Sequence, residues 1–313
     1  MKKAIWLILI VFITIVAIIY IKDSNSNSKR EHNDRAIVTT TIYPLYFITK
    51  TIVGDRVEVK RLIKPGNEIH SFSPTPADLV DISHSDILIT LGEQIEPWVD
   101  KLADATDTKL LKLEDKLFTI SSHHSHHHHD GDKHIDKSSI NPHLWLDFDN
   151  DIKIVDMISA KLSQIYPKDR DIFLKNATKL KRDFVDLKIA YTKGLENCKR
   201  DTILVGHDAF GYLEREYHFE AESIMGIFAH SRPDASKIAD LTDMIKSKEL
   251  RYIFVDPIES SKSVSQLATD MNLTIEPLYT VGNISLDDEK SGKDMLILLR
   301  DNLINFKKGL ECR

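Results

Sequence analysis

Cysteine is almost absent from this chain: its 313 residues include only Cys198 and Cys312. Neither has a CxxC partner, which excludes a thiolate metal site and dithiol redox chemistry. No cysteine stands just after the N-terminal apolar run, so a lipidation signal is not expected. Basic charge is also short, with 42 Lys and Arg against 48 Asp and Glu and a net charge of −6. With no basic stripe, a nucleic-acid partner is excluded. There is no HExxH helix of the kind that builds zinc hydrolases.

Histidine, by contrast, is abundant and clustered. Seven of the 14 histidines fall between residues 123 and 134, within SSHHSHHHHDGDKHIDKSSINPHLWLD. They are His123, His124, His126, His127, His128, His129 and His134. The run is internal, broken by Ser125 and bounded by Asp130 and Asp132, unlike an expression tag. A tract this rich in imidazole is expected to touch metal ions. Lacking fixed geometry, it is expected to hold them loosely, as an accessory loop over residues 121–137.

The N-terminus carries Lys2 and Lys3 ahead of an unbroken apolar run, AIWLILIVFITIVAIIYI, at residues 4–21. As a helix this run would span ~27 Å, near the lower limit for a bilayer. The basic pair favours a cytoplasmic N-terminus. Ile18, Ile19, Tyr20 and Ile21 offer no small-residue cleavage site. An uncleaved signal anchor is therefore expected over a cleaved signal peptide. Either one places the body outside the cytoplasmic membrane, on a polar tether at residues 22–35.

From residue 36 onward, strand-like and helix-like stretches alternate, which implies βαβ units and mainly parallel sheets. Ala36–Ile42, Val57–Ile63, Asp86–Leu91 and Lys109–Leu113 read as strands, and the same grammar restarts at Thr202–Val205. Residues 149–197 hold two helical stretches divided by Tyr166-Pro167. The second, Lys168–Glu196, carries Ile172, Phe173, Ala177, Leu180, Phe184, Leu187, Ile189 and Leu195 at near-helical spacing. The expected fold is α/β, two similar (βα)4 lobes joined by a long spine helix, with a metal site in the cleft between them. The lobes are expected at 36–148 and 198–313, with linking helices at 149–197.

Open parallel sheets bind ligands beyond the carboxyl ends of their strands. Three histidines fall at such positions: His70 in KPGNEIHSFSPTP, His143 in NPHLWLD and His207 in ILVGHDAFGYL. Alone, each would read as a structural or capping histidine. His84 and His218 keep that reading, His32 belongs to the tether, and His230 stays ambiguous. Trp98, Trp145, Phe210 and Tyr212 are expected to wall the site. Asp147 and Asp208 are open between orienting an imidazole and capping a helix. Cys198 and Cys312 are equally open between a disulfide and two free thiols.

The phrases around these histidines resemble the zinc- and manganese-binding solute-binding proteins of ABC importers, the high-affinity zinc-uptake group in particular. The resemblance rests on TTTIYPLYFITKTIVGD, GNEIHSFSPTPAD, LGEQIEPWVDKL, NPHLWLD and GHDAFGYLEREY, in the family's order, and covers about residues 36–310. A His-rich loop before NPHLWLD is typical of the zinc-selective branch. The resemblance implies that His70, His143 and His207 ligate a Zn²⁺ ion carried as cargo to an ABC permease, by a monomer that catalyses nothing. Many relatives supply a fourth, carboxylate ligand before the last helix. The matching residues here, Val281, Gly282 and Asn283, are not acids, and Asp287, Asp288 and Glu289 are displaced. Water or Glu68 is the expected fourth ligand. Three histidines without an acid favour zinc over manganese, although copper and nickel would also bind. The competing functions are a zinc hydrolase or hydratase with a site of three histidines and a water, a manganese-binding homologue, and an adhesive or zinc-buffering surface protein.

Overall fold

The computed structural model describes residues 36–121, 140–226, 234–259 and 262–313. The apolar run, the tether, the histidines of the 123–134 tract and His230 lie outside them. Among the described residues, no helix is long and apolar enough to cross a membrane.

The first lobe is a four-stranded parallel sheet in the order β2-β1-β3-β4, with β1 at Ile37–Thr40, β2 at Glu58–Arg61, β3 at Ile87–Thr90 and β4 at Leu110–Lys112. The strands are shorter than the apolar patterns suggest, because flanking residues such as Leu62 and Ile63 turn into loops while staying buried. Helices α1 (Tyr43–Val53), α2 (Pro76–Ser83) and α3 (Val99–Thr106) make the crossovers. Thr75 opens α2 with a capping box shared with Asp78.

The second lobe repeats that order as β6-β5-β7-β8, again parallel. Its strands are β5 (Thr202–His207), β6 (Glu220–Met225), β7 (Tyr252–Val255) and β8 (Thr274–Pro277). In both sheets the order reverses beside the first strand, and the crevice at such a reversal is where ligands of open α/β sheets collect.

Between the sheets run α4 (Phe148–Ile165) and α5 (Arg170–Leu195). Asp147 caps α4, accepting from the N–H groups of Asp149 at 2.9 Å and Asn150 at 3.0 Å. Tyr166, which precedes Pro167, ends it. The 26 residues of α5 extend ~39 Å. The helix buries Phe173, Ala177, Leu180, Phe184, Leu187, Tyr191 and Leu195, one seam at steps of three and four. Ile172 and Ile189 fall off that seam and are exposed, contrary to the sequence reading, while Tyr191 joins it and donates to the Leu299 carbonyl at 2.7 Å. The spine packs on α4, on α1 of the first lobe and on α10 (Met295–Gly309) of the second.

Cys198, just ahead of β5, and Cys312, just after α10, form a disulfide across 114 positions. This resolves the choice that the sequence left open.

The lobes are fastened to each other by the loop at residues 279–284. Its Gly282 carbonyl accepts from Tyr43 N at 3.2 Å and its Ile284 carbonyl from Gly66 N at 2.9 Å. Asn283 donates through Nδ2 to the carbonyls of Lys64 (2.8 Å) and Asn67 (2.7 Å).

Candidate metal centre

His70 lies in the loop after β2, half-buried. Its backbone is fixed by Glu68, whose Oε1 accepts from His70 N at 2.8 Å and Oε2 from Ser71 N at 2.7 Å. Burial opposes ionisation of Glu68, but these N–H groups and the His70 charge outweigh it and hold the carboxyl below its ordinary value.

His143 is fully buried, in a bend that leads into a short 3-10 turn at Leu144–Leu146. The Asn141 side-chain oxygen accepts from His143 N at 3.1 Å and pairs with ring Nδ1 at 2.9 Å. With Nδ1 engaged, Nε2 faces inward, buried and without a hydrogen-bond partner. An orphaned buried acceptor of this kind is unfavourable unless something binds it. Burial, then the charges of His207 and His70, push the His143 pKa well below the usual histidine value, so the ring is neutral and ready to ligate. Asn141 is itself held from the second lobe, its carbonyl accepting from Tyr212 Oη at 2.9 Å.

His207 is the last residue of β5 and 3% exposed. Its Nδ1 pairs with Glu259 Oε2 on the loop after β7, and the Glu259 side chain is only 7% exposed. Behind Glu259, Asp256 accepts through Oδ2 from Thr280 N and Oγ1, both at 2.7 Å. Burial and the neighbouring Glu259 charge raise the Asp256 pKa to about 6, against the pull of those hydrogen bonds.

The three rings converge. Centroids of His70 and His143 are 5.3 Å apart, of His70 and His207 5.5 Å, and of His143 and His207 5.0 Å. One nitrogen from each lies within 4.8 Å of the other two, the single such grouping of His, Cys, Asp or Glu among the described residues. An all-imidazole set with no thiolate suits zinc, copper or nickel, and a site for manganese would be richer in oxygen.

Other sequence candidates fall elsewhere. Glu68 is turned to the backbone of its own loop and is outside the convergent group. Gly282 and Asn283 serve the lobe-to-lobe fastening instead of ligation, and Val281 is buried beside them. A Cβ on Gly282 would stand 2.7 Å from Ile69 Cδ1 and 2.9 Å from Trp145 Cζ2. Ser285 caps a short helix, α9 (Leu286–Lys290), accepting from Asp288 N at 3.0 Å and donating to Asp288 Oδ2 at 2.6 Å, and Glu289 pairs with Arg61 at 2.9 Å. Trp145 does flank His143, at 5.4 Å between centroids, and donates to the Thr280 carbonyl at 2.7 Å. Trp98 stacks edge-on to Phe72 in an adjoining cavity of about 490 Å³ that His70 also lines. Phe210 packs on Phe306 rather than on the histidines. Asp147 is a helix cap paired with Arg215 at 3.2 Å. His84 and His218 are exposed helix C-caps. Glu259 was missed by the sequence reading, since VDPIESS matches no ligand motif. Its signal is topological: β7 adjoins β5 at the strand-order reversal.

The family model described as "Zinc-uptake complex component A periplasmic" matches residues 38–309. The zinc-binding lipoprotein AdcA of Streptococcus pneumoniae is 28% identical over 286 residues, covering 90% of this chain and 57% of the relative. The chain thus spans little more than half of that relative's length. The high-affinity zinc uptake system protein ZnuA of Bacillus subtilis is 27% identical over 291 residues, 92% of this chain and 91% of its own. The crystal structure of the Zn(II)-bound ZnuA-like domain of S. pneumoniae AdcA superposes with a TM-score of 0.74 at 27% identity, covering 88% of this chain and 99% of that domain. A match across both lobes and the spine places this chain in the zinc-uptake complex component A family of solute-binding proteins.

Proposed function

We propose that this protein captures Zn²⁺ outside the cytoplasmic membrane and delivers it to an ABC permease, with His70, His143 and His207 as ligands. The observation that carries this reading is the convergence of three imidazoles, two of them buried, from the loop after β2, the segment before the spine and the end of β5. An ion among them would bridge both lobes. The ion is cargo and no reaction follows its binding. The apolar run at residues 4–21 would anchor the protein, and the histidines at 123–134 would gather zinc loosely. Relatives named for zinc binding and zinc uptake support the choice of metal.

The test is calorimetric titration of zinc into protein lacking residues 121–137. Replacing His70, His143 or His207 by alanine is expected to abolish tight binding, whereas His84→Ala and His218→Ala leave it intact. Unchanged tight binding in all three ligand variants would overturn the assignment. In the parent protein, zinc at a thousandfold excess over Kd adds about 4 kcal/mol of stability. The permease is tested separately, by whether neighbouring genes encode a membrane permease and its ATPase.

A further inference from the structure

His143 and His207 are both held through Nδ1, but by different chemistry. His143 meets a neutral carboxamide, that of Asn141, within its own bend. His207 meets the carboxylate of Glu259, carried on the loop after the neighbouring strand β7. Both partners of this second pair are nearly excluded from water, at 3% and 7% side-chain exposure. A charge in that setting is costly to bury unless it is paired and hydrogen-bonded. Glu259 is also braced from behind, because its own N–H donates to the Asp256 carbonyl at 2.9 Å. Asp256 in turn is fixed by the N–H of Ile258 at 2.9 Å and by Thr280. The chain His207–Glu259–Asp256–Thr280 therefore connects the end of β5 to the loop that fastens the lobes.

We propose that Glu259 is the positioning residue of the metal centre: its carboxylate holds the Nδ1 proton of His207, so that Nε2 presents its lone pair to the ion. A carboxylate behind an imidazole fixes the tautomer and ring orientation and makes the ligating nitrogen a better donor. It also places one negative charge beside three neutral ligands. In this way the site gains an acid although no carboxylate is in the convergent group. This inference rests on the proposed zinc site, but the geometry it claims for His207 is testable without metal.

The experiment uses protein lacking residues 121–137, with Glu259→Gln and Glu259→Ala variants. Two quantities are read: zinc affinity by chelator competition, and the ring-nitrogen NMR shifts of His207 in the metal-free protein. Glu259→Ala is expected to weaken zinc binding about 10–100-fold and to release the Nδ1-protonated tautomer. Glu259→Gln keeps a neutral acceptor like Asn141, so it is expected to retain the tautomer and lose affinity by less. If Glu259→Ala does not fold, Glu259→Gln is decisive through its affinity loss at an unchanged tautomer. Unchanged affinity in both variants overturns the proposal. So does an affinity loss in Glu259→Ala with unaltered His207 shifts, since that would be a merely structural effect. If the parent binds no zinc tightly, the zinc reading fails on its own, and the His207 shifts in Glu259→Ala still decide the positioning role.

Discussion

The two lobes share one strand order yet support their histidines in opposite ways. The first lobe offers His70 on a half-buried loop, where its backbone N–H donates to Glu68. The second offers His207 from the end of a wholly buried strand, with the ring itself gripped by Glu259. A ligand on a strand end is placed by the sheet, and a ligand on a loop is placed by local hydrogen bonds that can rearrange. The difference teaches that one fold places its ligands by two devices, a strand end in the second lobe and a hydrogen-bonded loop in the first.

The asymmetry extends to stability, and the largest expected effect sharpens it. Only the second lobe is stapled, by Cys198–Cys312 across 114 positions. In the chain-entropy model, a bridge closing a loop of that size contributes about 4–5 kcal/mol. The double variant Cys198→Ser/Cys312→Ser should lower the denaturant midpoint accordingly. It should leave zinc affinity nearly unchanged, because the bridge lies at the far end of the strand that carries His207. A large loss of zinc affinity instead would show that the second lobe depends on its staple for the geometry of the site.

A smaller effect of opposite sign is expected beside the first lobe, in α4, which packs on α1. Asp151 is fully buried there, and neither carboxylate oxygen has a hydrogen-bond partner. Burial, and then the Asp147 charge, push its pKa well above the ordinary value. The folded form therefore holds its proton more tightly than the unfolded chain does. Between the unfolded value near 4 and the raised folded value, the folded state binds more protons, so rising pH costs stability. Asp151→Ala should stabilise the protein by about 1–3 kcal/mol at pH 7. That gain should shrink as pH falls towards 4, followed by thermal unfolding across the range. A destabilised variant at pH 7 would contradict the reading of Asp151 as a buried liability.

Much of this architecture was legible in the residues. Alternating strand and helix patterns gave the two-lobed parallel fold, and the phrases around His70, His143 and His207 singled out the side chains that converge. Four features were not legible, each because it depends on the third dimension. Periodicity marked Ile172 and Ile189 as spine residues, but each lies about 100–200° around the helix from its buried neighbours Phe173 and Leu187. The disulfide requires the start of β5 and the end of α10 to meet, which no spacing of two cysteines announces. Glu259 reaches His207 only because β7 lies beside β5. The missing acid at residues 281–283 was visible in the sequence, but its replacement by a fastening loop was not. There, Val281 adopts a left-handed φ of 60° and Asn283 ties down the opposite lobe.

The central claim is that one ion sits among three imidazoles drawn from both halves of the chain. It is tested most directly by X-ray absorption at the zinc edge, on protein lacking residues 121–137 and loaded with one equivalent of zinc. The account predicts a first shell of nitrogen and oxygen alone, with three imidazoles at about 2.0–2.1 Å. In His207→Ala that imidazole scattering should diminish. A shell without imidazole scattering, or one unaltered by His207→Ala, would contradict it.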